Sequence, residues 1–100
     1  MFKNTADQKC IVFAYDVVAD APKTGDAANI TANISQDGAS PAASNDANPT
    51  EIGGGLYAFD LTQAETNCKL FALYAASTTA NVKIDPVIEY TVPLTAPWIA

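Results

Sequence analysis

The sequence predicts an all-β protein: an antiparallel β-sandwich with one short helical turn near residues 62–66 and an extended C-terminal arm. Three observations carry this reading. Five runs have strand periodicity, clusters of turn formers separate them at short spacing, and only one helix-start signal occurs in 100 residues.

Lys9, Cys10, Ile11, Val12, Phe13, Ala14 and Tyr15 form a run rich in β-branched and aromatic residues, expected to be a strand covered on both faces. Residues 16–26 follow with Pro22, Gly25 and three aspartates, a connecting loop. In residues 28–35, Ile30, Ala32 and Ile34 alternate with Thr31, Asn33 and Ser35, the pattern of a half-buried strand. Residues 36–49 contain no large apolar side chain, so burial cannot offset the entropy of ordering them. Two readings stay open for that segment: a surface excursion, or an adhesive loop lying on a neighbouring molecule.

Gly53, Gly54 and Gly55 read as a turn or bulge between strands, because the Lys and Ser/Thr of a phosphate loop do not follow and no helix opens there. Tyr57, Phe59 and Leu61 then share one face of the next strand. It runs into Thr62, Gln63, Ala64 and Glu65, a capping box in which Thr62 accepts from the third backbone N–H and Glu65 reaches back to the cap. Glu65 is therefore read as a cap and not as a catalytic acid. Residues 69–76 are apolar on both sides and are expected to be a central strand.

The longest alternation places Val82, Ile84, Pro86, Ile88, Tyr90 and Val92 on one parity and Lys83, Asp85, Val87, Glu89 and Thr91 on the other. Pro86 cannot donate to a ladder, so this strand bends there or lies at an edge. Residues 1–92 are expected to form the sandwich domain and residues 93–100 the arm. An immunoglobulin-like topology is expected, although the cysteine and tryptophan spacing of antibody domains is absent.

Composition limits what such a domain does. Five lysines, no arginine and eleven carboxylates give a net charge of -6, the wrong field for nucleic acid. With no histidine, neither a Ser-His-Asp nor a Cys-His centre can form, so an enzyme is not expected, and neither is a cofactor. No run approaches the ~18 apolar residues of a membrane span. Met1, Phe2, Lys3, Asn4 and Thr5 lack the apolar stretch of a signal peptide, and synthesis in the cytoplasm is expected. Cys10 and Cys68 read as buried free thiols acting as small hydrophobes, with a disulfide as the alternative.

Asp16, Asp20 and Asp26 crowd one loop, where a calcium site built from oxygen ligands is conceivable. Their spacing matches no EF-hand, so a solvated acidic loop is the reading and no metal is expected. Asp60 and Glu65 would make a glycosidase pair only in an aromatic-lined groove, for which so short a chain gives no sign.

The chain closes on Val92, Pro93, Leu94, Thr95, Ala96, Pro97, Trp98, Ile99 and Ala100. Two prolines four apart impose an extended path, and Trp98 with Ile99 is a costly pair to leave in water. An arm ending in an aromatic suits contact with another molecule; the alternative is that Trp98 folds back onto its own sandwich. Leu94, Pro97, Trp98 and Ile99 are the candidate interface residues. Phe2 joins them at the other end, where strand pairing is the alternative anchor.

Four stretches resemble a group of small structural proteins of tailed bacteriophages. They are FKNTADQK from Phe2, APKTGDAANITA from Ala21, YAFDLTQAETN from Tyr57 and YTVP from Tyr90, and the likeness covers most of residues 2–93. The shared motifs are long but structural, not chemical. The resemblance implies a β-sandwich subunit of the virion, similar in style to N-terminal domains that mount fibres and baseplate parts. With no shaft after the tail, it points to a capsid cement or decoration protein on the head surface. Its partners would be the major capsid protein or other virion proteins, with self-association as a dimer or trimer. A neck, tail or fibre-mount adaptor is the alternative, and a host-surface binding module a third reading.

Overall fold

Alternation along the chain decides which side chains meet between two sheets. A computed structural model describes residues 1–94. In chain order the strands are β1 (Gln8–Asp16), β2 (Ala21–Pro22), β3 (Ile30–Gln36), β4 (Ala42–Ala43), β5 (Thr50–Gly53), β6 (Leu56–Leu61), β7 (Leu70–Ser77), β8 (Val82–Ile84) and β9 (Val87–Tyr90). The first sheet has the order β2-β1-β6-β5, with β8 also paired to β1; the second runs β4-β3-β7-β9. Every strand pairing is antiparallel. The expected all-β, two-sheet architecture is the one the chain adopts.

The core lies between the sheets. Val12 and Ala14 of β1 and Tyr57, Phe59 and Leu61 of β6 face Ile30 and Ile34 of β3 and Phe71 and Leu73 of β7. Phe59 and Phe71 are fully buried. Burying side chains of this size stabilises by about 1.5–3 kcal/mol each.

Several expectations need correction. β1 is not covered on both faces: its burial alternates, and Ile11 and Phe13 remain 49% and 44% exposed. β7 is central within its sheet, between β3 and β9, yet one of its faces is also open, with Tyr74 half exposed. The apolar run reported hydrophobicity on both faces but not whether a further layer exists to cover the second.

The long alternation after residue 82 does not form one strand. It breaks at Asp85 and Pro86 into β8, which joins β1, and β9, which joins β7. Changing sheets reverses the inward direction. Val82 and Ile84 pack inward from the first sheet, Val87 packs inward from the second, and Ile88 and Tyr90 are turned out to solvent.

Residues 36–49 are fastened to their own domain by polar groups instead of apolar burial. The Asp37 carboxylate accepts the N–H groups of Lys69 and Leu70, both at 2.9 Å. Gln36 Nε2 donates to the Ala64 carbonyl at 2.7 Å, and Asn48 Nδ2 donates to the Ile30 carbonyl at 2.8 Å. β4 is the short strand this segment contributes to the edge of β3.

The helical turn is present as a 3-10 turn, Ala64–Thr66. The capping box is reciprocal: the Thr62 N–H donates to Glu65 Oε1 at 2.9 Å and the Glu65 N–H donates to Thr62 Oγ1 at 3.2 Å. Glu65 Oε2 also accepts the Asn45 N–H at 2.9 Å, which ties the long loop to the turn. Its position as a cap is the one expected.

Candidate interaction surfaces

The three aspartates of the first loop diverge. Asp16 accepts the N–H groups of Val18 and Ala19, both at 3.0 Å, and these bonds hold its carboxyl below the usual range. Asp20 accepts from the Tyr15 hydroxyl. Asp26 is not solvated, in contrast to the sequence reading: it is 2% exposed and accepts from Ser77 Oγ at 2.5 Å, Thr79 Oγ1 at 2.6 Å and Asn29 Nδ2 at 3.0 Å. Burial acts to raise its pKa, but those three donors outweigh it and hold the carboxyl below its ordinary value. Asp26 therefore joins the loop after β2 to Ser77 at the end of β7 and to Thr79 just beyond it, a structural task.

Among the described residues, no cluster of three or more His, Cys, Asp or Glu side chains is placed to hold a metal ion, and no helix is long and apolar enough to cross a membrane. Cys10 and Cys68 are buried free thiols, and burial pushes Cys10 up to about 12. Asp60 pairs with Lys9 on the outer side of the first sheet, while Glu65 is occupied as the cap.

The candidate interface residues fall into three groups. Phe2 is half-buried and held by its own domain. Its N–H donates to Gln8 Oε1, its carbonyl accepts from Gln8 Nε2, and it forms a parallel bridge with Val92. The bridge to Val92 is a strand pairing of the kind given above as the alternative anchor, beside the two bonds to the Gln8 side chain. Leu94 is 53% exposed at the end of the described chain. Pro97, Trp98 and Ile99 lie outside the described residues.

Two apolar surfaces were missed by the sequence reading. On the first sheet, Phe13 is the register partner of Leu56, and Ile11 lies beside Ala58. Ile11, Phe13 and Leu56 therefore form an apolar stripe across β1 and β6, with the Lys9–Asp60 ion pair at one end. Cross-strand neighbours of this kind are close enough to present one continuous surface. The signal was in the sequence, because β1 is apolar on both parities; what covers each parity was not.

The second surface is the free edge of β9. The Thr91 N–H donates to the Lys69 carbonyl of the β7 side, while the Val92 N–H donates to the Met1 carbonyl on the other side. Odd-numbered residues therefore bond β7, and Ile88 and Tyr90 aim their backbone groups outward, where among the described residues they have no backbone partner. Their side chains are 65% and 75% exposed.

No family model matches the chain, and neither a curated protein nor a solved structure matches it.

Proposed function

We propose that this protein is a non-catalytic structural protein of a tailed-bacteriophage virion, bound to the major capsid protein on the head as a cement or decoration subunit. The observation that carries the assembly part of this reading is the amount of large apolar surface outside both sheets, at the Ile11, Phe13 and Leu56 stripe and at Ile88 and Tyr90. Contiguous exposed apolar patches mark association surfaces. The likeness of the four sequence stretches supports the phage setting.

Two features fit assembly. A net charge of -6 keeps separate subunits soluble before they meet a partner. The strand orders β5-β6-β1 and β4-β3-β7-β9 follow the D-E-B and C′-C-F-G orders of an immunoglobulin-type sandwich, which supports the finer fold reading. Such a domain offers both faces and edges to partners, and backbone pairing at an edge adds to apolar contact.

The test is the copy number of the chain in purified particles. Many copies, matching the shell lattice, support the decoration reading. A few copies, matching a single vertex, move the protein to the neck or tail, and absence from particles overturns the virion reading. Deleting residues 94–100 is expected to leave the sandwich folded and to prevent incorporation. Trp98→Ala is expected to weaken incorporation by about 2 kcal/mol or more, the usual cost of truncating a buried aromatic anchor.

A further inference from the structure

Edge strands are normally blunted by lysine, proline, a bulge or a covering segment, because open N–H and C=O groups template pairing with another chain. The edges of this sandwich differ in that respect. β4 is two residues long, and β5 is bulged between Glu51 and Gly53 and ends in glycines. β9 contains Val87, Ile88, Glu89 and Tyr90, with no lysine, no proline and no bulge; its one charge, Glu89, is paired with the Met1 ammonium at 3.0 Å. Its outward backbone groups sit between two of the most exposed apolar side chains of the protein.

This edge already takes a strand at one end. The Val92 N–H donates to the Met1 carbonyl at 3.0 Å and the Lys3 N–H donates to the Val92 carbonyl at 2.7 Å, a parallel bridge that stops short of Tyr90 and Ile88. Met1 to Lys3 thereby occupy the place beside Val92 that a strand turning straight back from residue 93 would need.

The sequence of residues 93–100 matches what the open edge requires. Pro93 and Pro97 have the same parity, so in an extended strand both missing donors lie on one side, and Leu94, Ala96, Trp98 and Ala100 present their N–H groups on the other. The segment carries no charged side chain, whereas the chain as a whole has a net charge of -6. It can therefore meet a second copy without adding side-chain repulsion.

We infer that the C-terminal segment of one copy adds as a strand to the free edge of β9 in a second copy, pairing with the backbone of Ile88 and Tyr90. This deepens the assembly reading by naming a partner, a second copy of this chain. It is tested on purified protein with no particle present, so its failure and that of the virion reading are separate results.

The experiment is sedimentation of the full chain over a wide concentration range, with circular dichroism as a check that each variant is folded. The chain is expected to self-associate. Ala96→Pro removes a pairing donor and is expected to weaken association at least about tenfold, a loss of about 1.4 kcal/mol. Thr95→Pro has the parity of the existing prolines and is expected to leave it intact. Ile88→Lys places a charge on the receiving edge at an exposed site and is expected to abolish self-association, and Tyr90→Lys repeats that test should the first variant misfold. Mixing Ile88→Lys, which retains its arm, with a chain ending at Pro93, which retains its edge, is expected to restore a complex. A chain that stays monomeric throughout, equal tolerance of Ala96→Pro and Thr95→Pro, or failure of the two defective chains to complement would overturn the inference.

Discussion

Asp26 and Tyr57 bond directly: the backbone N–H of Asp26 donates to the Tyr57 hydroxyl at 3.2 Å, and that hydroxyl donates to the Lys23 carbonyl at 2.8 Å. Tyr57 projects from β6 into the core, while the Asp26 side chain is held by Ser77 and Thr79 at the end of β7. One buried contact therefore links the two sheets at one end of the sandwich.

Tyr57→Phe keeps the ring and removes that link. It leaves a buried N–H and a carbonyl short of a partner, which costs about 1–3 kcal/mol. In a domain of this size each kcal/mol lowers Tm by about 4–8 °C. Thermal melting should show the loss, and an unchanged Tm would mean that the hydroxyl contributes nothing.

Acid should unfold the protein partly through Asp26. Its carboxyl is held below the ordinary range when folded, so its stabilisation is complete well above the unfolded value of about 3.9 and is lost as pH falls through the folded value. Asp16 and Asp37, each lowered by two backbone N–H groups, act in the same direction. Tm is expected to fall steeply below about pH 4. Asp26→Asn should be less stable at neutral pH and should show a shallower acid limb.

Gly55 cannot carry a side chain. A Cβ there would lie 2.9 Å from Phe13 Cε1, 2.9 Å from Pro22 Cβ and 3.0 Å from the Ala14 carbonyl oxygen, with φ at +90°. The phenyl edge can yield, but the proline and the backbone cannot move without breaking the β1 pairings. Gly55→Ala is expected to cost about 1–3 kcal/mol of backbone strain. Gly54→Ala, with nothing within 4 Å of its Cβ, should cost less in chemical denaturation.

Cys10 and Cys68 should be unreactive toward a thiol reagent in the folded protein at mildly alkaline pH. Both are buried, and desolvation raises both thiols, Cys10 to about 12. The reactive species is the thiolate, which burial disfavours at both side chains. Both should react fully in denaturant, and rapid labelling of the native chain would contradict the burial.

Much of the fold was legible because it rests on local pattern. The alternation of Ile30, Ala32 and Ile34 gave β3, that of Tyr57, Phe59 and Leu61 gave β6, and the Thr62 and Glu65 spacing gave the cap. Asp26 was misread because its donors, Ser77 and Thr79, lie more than 50 positions away, and composition alone made it one more loop aspartate.

The candidate surfaces were legible only in part. Proline parity in residues 93–100 is a property of the chain written out, and so is the apolar content of β1. Whether Ile11 and Phe13 meet a covering layer depends on how many layers the fold has, and among the described residues two sheets leave both outer faces open.

The order of residues by itself determined the longer strands β1, β3, β6 and β7, where the one capped turn begins, and that no histidine or arginine chemistry is present. Tertiary structure decided which parity of each strand is inside. Ile88 and Tyr90 share parity with buried Val82, yet they face solvent because the chain changes sheets at Pro86 and the inward direction reverses there. Periodicity records that two sides differ; only the position of the opposing sheet tells which side is dry.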